Sequence, residues 1–333
     1  MPKLFDVYHH EIPSFLVPYI ELPLFSRLEN VGMNCGVEYT SLPFFKDLPK
    51  SSRASHSIGT ALITYHFSAD KRMALAALFH DIATPCFAHT IDFLNGDHEK
   101  QESTEEKTKA LLESDKELAR LLSYDGLSIE DISDYSRFPL CDNPSPKLSA
   151  DRLEYTLRNM LYFGFLNKQK IEEIYRDLLF CKTANGEEEL QFATTSVAMV
   201  FGKATIETSR VYISNEDRFA MEDLAKSLKA MADKGILSYE DFEKDEPALI
   251  AKMEGNPFSK ALWLHYRSLS RIEESKAKKG EHSYRISSKK RCIDPYVKDM
   301  GRLSEIEPSF KKMLEDFLQT DFSSYLTGVY CEP

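Results

Sequence analysis

The chain has 333 residues, room for one large or two modest domains at roughly 150 residues each. Its 42% hydrophobic and 29% charged residues are ordinary soluble-globular usage, which excludes a disordered chain, a collagen and a disulfide miniprotein. The 42 Lys and Arg stand against 53 Asp and Glu, a net charge of −11, so duplex DNA and anionic membrane are poor partners, because phosphate binding runs on basic side chains.

Residues 1–50 hold Pro13, Pro18, Pro23, Pro43 and Pro49 among aromatics. Short helical pieces broken by proline and packed on the core are expected there. A helix is predicted over 52–68, where Ile58, Ala61, Leu62 and Tyr65 fall at helical spacing. A second is predicted over 70–83; it is apolar nearly all round, hence buried, and Pro85 cannot continue it. Residues 101–122 read as an exposed amphipathic helix with Leu111, Leu112, Leu118 and Leu121 on its apolar side. A proline-rich loop covers 139–147, and Ser149 caps a helix over 150–163. A hairpin follows: Leu178–Lys182, a turn at Asn185 and Gly186, then Glu189–Thr194. Helices are expected over 195–212 and 217–233 and again after Pro247. Residues 283–293 alternate like a strand, and a last helix lies near 308–319. The fold class is mostly α, with a few small β-hairpins in the C-terminal half. No linker divides the chain: 1–50 packs on a core at 51–170, and an α-rich region at 171–333 continues that core.

No stretch approaches the roughly 20 apolar residues of a membrane helix. The N-terminus lacks a signal-peptide layout. The six cysteines are scattered, with no CxxC pair, so reduced thiols in a cytoplasmic protein are expected.

The informative feature is His80-Asp81 inside the predicted hydrophobic helix. An ionised carboxylate in an apolar setting is expensive unless it is paired or bound to metal. Imidazole and carboxylate together suit Fe, Mn, Zn or Ni. Adjacent helix residues point about 100° apart, so this pair can converge on one divalent ion from two directions, with further ligands arriving from other helices. His56, near the start of the preceding helix, is one candidate and Asp151 another. Asp151, Tyr155 and Arg158 share a helical face, and Arg suits forked recognition of phosphate oxygens.

This pattern resembles the HD-domain superfamily of metal-dependent phosphohydrolases, and most closely its deoxynucleoside triphosphate triphosphohydrolase-like branch. Arg53, His56, Ser57 and Gly59 are similar to that branch's first motif. His80, Asp81, Ile82, Pro85, Phe87 and His89 are similar to its second. Ala150, Asp151, Arg152, Leu153, Tyr155 and Arg158 are similar to its third. Val211-Tyr212 and the run Arg291 to Pro295 are weaker echoes. The resemblance is dense over 50–165 and thin to about 297. It implies a helical HD-domain core in which His56, His80, Asp81 and Asp151 bind a divalent metal ion (Mn, Fe, Ni, Zn or Mg). It also implies that Arg53 contacts substrate phosphate. The expected enzyme is a phosphohydrolase acting on a small phosphorylated substrate, a nucleotide by resemblance, through a metal-activated water. Related enzymes often assemble as oligomers, so a homo-oligomer is an open expectation.

Three positions depart from the branch's pattern. Thr84 stands where a histidine with a catalytic role is usual. Asn159 replaces an aspartate associated with sugar recognition. Ser214 replaces the histidine of a Tyr-x-His. They suggest HD chemistry on a different phosphate substrate.

His89 is the remaining acid/base candidate, with a second metal ligand or a packed histidine as its alternatives. His98 is either a catalytic partner or a polar cap, and Asp92 either orients a ligand histidine or caps a turn. Tyr155 and Arg158 are substrate-binding candidates, Tyr155 with core packing as its alternative. Cys86 reads as a packed thiol rather than a redox-sensitive one. The basic stretch 276–291 reads as a solvated hairpin rather than an anion site. Two further functions stay open: a non-catalytic metal-containing nucleotide sensor, and a phosphodiesterase on cyclic nucleotides or single-stranded nucleic acid.

Overall fold

The computed structural model describes residues 4–88, 90 and 105–331. Short helical turns occupy the proline-rich start: Phe5–Tyr8, Val17–Ile20, Pro23–Ser26, Arg27–Asn30 and Pro43–Lys46. Three of these carry Pro within their first two residues, where the missing N–H is not needed.

The first long helix is Arg53–Ser68. Ser52 and Ser55 cap it reciprocally: each side-chain oxygen accepts from the other's backbone N–H, at 3.2 and 3.3 Å. Ala69 ends it in the left-handed conformation, φ 51°. Asp70 caps the next helix, Lys71–Phe79, through the N–H of Arg72 at 2.8 Å. Ala74 through Phe79 are all fully buried, as an all-round apolar helix requires.

That helix stops at Phe79, not at 83. His80 is its C-cap, and Asp81 lies in the turn beyond. The reason is local competition: the His80 side chain donates Nδ1–H to the carbonyl of Ala77 at 2.7 Å, the acceptor that another helical turn would use.

The amphipathic segment is likewise two helices, Glu105–Ser114 and Lys116–Tyr124. Asp115 breaks it by capping the N–H groups of Glu117 and Leu118, both at 2.9 Å. Ser149 caps Ala150–Tyr162 through the N–H of Arg152.

The C-terminal half holds two small sheets. One has the order β1-β2-β5-β6, with β1 Leu178–Lys182, β2 Glu188–Phe192, β5 Tyr296–Val297 and β6 Gly301–Arg302. β1 and β2 form the expected hairpin, pairing Leu178 with Phe192, and β5 joins β2 in parallel. The other is antiparallel in the order β3-β7-β4, with β3 Leu269–Ser275, β4 Ser283–Tyr284 and β7 Tyr325–Tyr330. Only Ser283 and Tyr284 of the predicted strand 283–293 are in a strand. The stretch 276–291 is not a hairpin either, because β7 sits between β3 and β4. Helix Thr195–Tyr212 packs on β2 and β5 and Asn215–Asp233 on β3 and β7, with Glu246–Glu254, Pro257–Arg267 and Pro308–Leu318 completing the helical part.

One hydrophobic cluster draws on Leu4, Leu62, Leu78, Leu153, Phe201 and Phe310. A second gathers Phe87, Phe219, Leu224, Trp263 and Tyr266. The turn leaving His80 runs from the first cluster into the second. No helix among the described residues is long and apolar enough to cross a membrane.

Candidate metal centre

Three elements converge on one point: the first turn of Arg53–Ser68, the end of Lys71–Phe79 and the first turn of Ala150–Tyr162. They bring His56, His80 and Asp151 together with their ligand atoms all within 4.8 Å of one another. His56 Nε2 lies 3.0 Å from Asp151 Oδ1. His80 Nε2 lies 3.7 Å from the same oxygen. The fourth predicted ligand, Asp81, stands beside them, its Oδ2 at 3.9 Å from His56 Nε2 and 3.6 Å from His80 Nε2.

The surrounding hydrogen bonds orient these groups. His80 donates from Nδ1 to Ala77 O, which leaves Nε2 facing the cluster. His56, 1% exposed, has its Nδ1 on Glu154 Oε2 at 2.5 Å, so its Nε2 also faces inward. Glu154 accepts in turn from Arg158 Nε at 3.4 Å, and Arg158 Nη1 reaches Ser51 Oγ at 2.7 Å. Arg158 thus stands behind His56, buried against Glu154. Gly59 permits this arrangement: a Cβ there would lie 2.7 Å from Glu154 Cγ. Asp81 is gripped at both oxygens. Arg53 Nη1 donates to Oδ2 at 2.8 Å and Thr84 Oγ1 to Oδ1 at 2.9 Å.

The electrostatics follow from this packing. Burial pushes the Asp81 carboxyl up, but Arg53, His80 and His56 outweigh it and hold the group well below the usual carboxylate range. Asp151 is also buried, yet its bond to His56 and the charge of His80 bring it down to about 2. Burial lowers His56, but Glu154 and Asp151 overcome this and raise it to about 9. Two ionised carboxylates thus face two imidazole nitrogens.

That donor set fits a divalent transition metal: mixed nitrogen and oxygen ligands, with each histidine's other nitrogen held by a carboxylate or carbonyl, as metal-bound imidazoles require. His56, His80, Asp81 and Asp151 are the residues that would hold it.

Around this centre stand phenols. Tyr155 is half-buried, its ring 6.3 Å from those of His56 and Tyr212. The Tyr212 hydroxyl accepts from Asn159 Nδ2 at 2.7 Å. Tyr135 packs its ring 5.1 Å from His80. Burial and the nearby charge of Asp151 raise its hydroxyl well above the usual phenol range. Arg291 lies close enough to act electrostatically on both Tyr155 and Tyr212.

Sequence reasoning missed Glu154 and Tyr135, and it treated Thr84 and Asn159 only as departures. Tyr135 carried no signal. Cys86 is a packed thiol: it is fully buried, its Sγ–H donates to Lys244 O at 2.9 Å, and burial pushes it up to about 12. His89, Asp92 and His98 lie outside the described residues.

No protein-family model matches the chain. It is 24% identical over 250 residues to the uncharacterised protein YdhJ of Bacillus subtilis, an alignment covering 74% of each chain. It is 26% identical over 213 residues to the metal-dependent phosphohydrolase cns2 of Cordyceps militaris, covering 63% of this chain and 60% of that protein. The chain therefore spans less than two thirds of the length of cns2.

Proposed function

We propose that this protein is an HD-type metal-dependent phosphohydrolase, similar to the triphosphohydrolase-like branch, whose substrate is a nucleotide phosphate ester or anhydride. The observation that carries this reading is the convergence of His56, His80 and Asp151 beside Asp81, from three separate motifs in the expected order. The similarity to a protein named a metal-dependent phosphohydrolase supports it. When bound, a divalent ion lowers the pKa of a coordinated water and polarises the phosphoryl group.

The chain's own residues do the rest. Arg53 keeps Asp81 ionised through the Nη1 bond and is the cation for substrate phosphate oxygens beside that carboxylate. Tyr155 is the substrate-side phenol at the face of the site, whereas Arg158, expected on that side too, stands behind His56 and acts on it through Glu154. His89 is the proton donor or acceptor. One observation favours the sensor as a second reading. Thr84 is bonded to Asp81 and supplies no group that titrates near neutrality.

The test joins metal analysis to product analysis. Whole protein loaded with Mn, Fe, Ni, Zn or Mg is offered ribo- and deoxynucleotides at every phosphorylation level, and products are resolved by mass spectrometry. His80→Ala and Asp81→Ala are each expected to lose bound metal and activity together. Full metal stoichiometry in both variants would overturn the site assignment. Metal bound without any product from any substrate would favour the sensor.

A further inference from the structure

We propose that Arg27 is a positioning residue of the metal centre: its guanidinium ties down the turn that presents Asp81. Arg27 is 54 residues earlier in the chain, in the helical turn Arg27–Asn30, and touches none of the four ligands. Its Nη2 donates to the carbonyls of Ile82 at 2.7 Å and Thr84 at 2.8 Å. Its Nη1 donates to Lys244 O at 3.2 Å. One planar group thus joins the peptides just after Asp81 to a segment 160 residues downstream.

The turn needs such a tie. It begins where the helix ends at Phe79, and the Ile82 and Thr84 carbonyls take their donor from Arg27 rather than from a continuing helix. It ends with two consecutive non-glycine residues in the left-handed region, Phe87 at φ 59° and Ala88 at φ 41°. Such residues are strained and persist only where the surroundings hold them. Two further bonds pin the same turn to the same downstream segment: Cys86 N–H to Phe242 O at 2.8 Å, and Cys86 Sγ to Lys244 O at 2.9 Å. Thr84, whose carbonyl Arg27 holds, donates its hydroxyl to Asp81. Arg27 therefore reaches the Asp81 carboxylate through one residue. A lysine cannot reproduce this, because a single ammonium lacks the planar fork that spans three carbonyls.

This proposal rests on the metal-centre reading above. Its test is Mn²⁺ affinity, measured on the whole chain by competition with a chelator, for wild type, Arg27→Ala and Arg27→Lys. Folding is monitored by circular dichroism. Arg27→Ala is expected to bind Mn²⁺ roughly tenfold or more weakly. Arg27→Lys is not expected to restore it, whereas millimolar guanidinium ion added to Arg27→Ala is expected to recover part of the loss. Unchanged affinity in Arg27→Ala, or a loss that guanidinium leaves in place, overturns the proposal. If Arg27→Ala does not fold, Arg27→Lys carries the test, and wild-type affinity in it overturns the proposal. Wild-type protein that binds no ion fails in a different way: it sinks the metal-centre reading itself.

Discussion

His56 is flanked by carboxylates on both ring nitrogens, and the two have different work. Asp151 shares the cluster with Nε2, while Glu154 holds Nδ1 from behind. A carboxylate behind a ligand imidazole fixes its tautomer and raises its basicity. Glu154→Gln keeps the shape and removes the charge. It also leaves Arg158 without its anion. The expected outcome is metal affinity lower by roughly 10–100-fold, read by chelator competition at neutral pH; wild-type affinity would show that Glu154 only packs. At this scale the four proposed ligands could be picked out in the sequence because their chemistry is costly without a purpose: His80 and Asp81 interrupt an apolar run, and Asp151 opens a capped helix. Glu154 could not, because a glutamate on a helix normally reads as solvated surface. Nothing local says that it turns towards a histidine 98 residues earlier.

The helices that carry these residues approach closely at one point. A Cβ at Gly59 would meet Glu154 Cγ at 2.7 Å and Oε1 at 3.0 Å, so the helix bearing His56 needs a bare residue where the Asp151 helix crosses it. Gly59→Ala gains helix propensity of up to about 1 kcal/mol, but overpacking of this kind costs about 1–3 kcal/mol. The glutamate, wedged between His56 and Arg158, has little room to yield. We expect a net loss of stability in urea unfolding together with weaker metal binding; a stabilised variant with unchanged affinity would mean that Glu154 swings aside. Helices in general were legible from apolar spacing, and the start at Ser149 from its capping residue. Their ends were less so. Asp115 cuts one predicted helix in two because a mid-helix aspartate is also a good cap, and only the tertiary packing decides which role it takes. The strand expected over 283–293 rested on alternation alone. Its pairing partner is β7, at the far end of the chain, and β7 covers only two of those residues.

Across the whole molecule, the C-terminal region is fastened to the loop before the Asp151 helix by a buried ion pair. Glu189, on β2, is completely buried. Arg302, on β6, grips it with two bonds of 2.7 Å each. The same Glu189 accepts the N–H of Leu148 at 2.9 Å, just before the Ser149 cap. Arg302 also donates to the carbonyl of Asp294, and the N–H of Asp294 donates to Pro146 O at 3.0 Å. The loop that leads into the Asp151 helix is therefore held from residues 189, 294 and 302. The C-terminal sheet thus supports the lead-in to the helix that carries Asp151. Removing one partner strands a buried charge. Glu189→Ala leaves the Arg302 guanidinium half-buried without its anion and orphans the Leu148 N–H, an expected loss of about 3–5 kcal/mol. Replacing both, as Glu189→Leu with Arg302→Met, removes the stranded charge and should recover much of that loss, because a buried pair is worth little against a packed apolar one. Urea midpoints for Glu189→Ala, Arg302→Met and the double are compared. If the double is no more stable than Glu189→Ala, the pair's value lies in the backbone bonds to Leu148 and Asp294 rather than in charge compensation. Metal affinity in the same three variants then separates the two roles: loosening the lead-in to Asp151 should weaken binding in Glu189→Ala and in the double alike, since both lose the acceptor for Leu148.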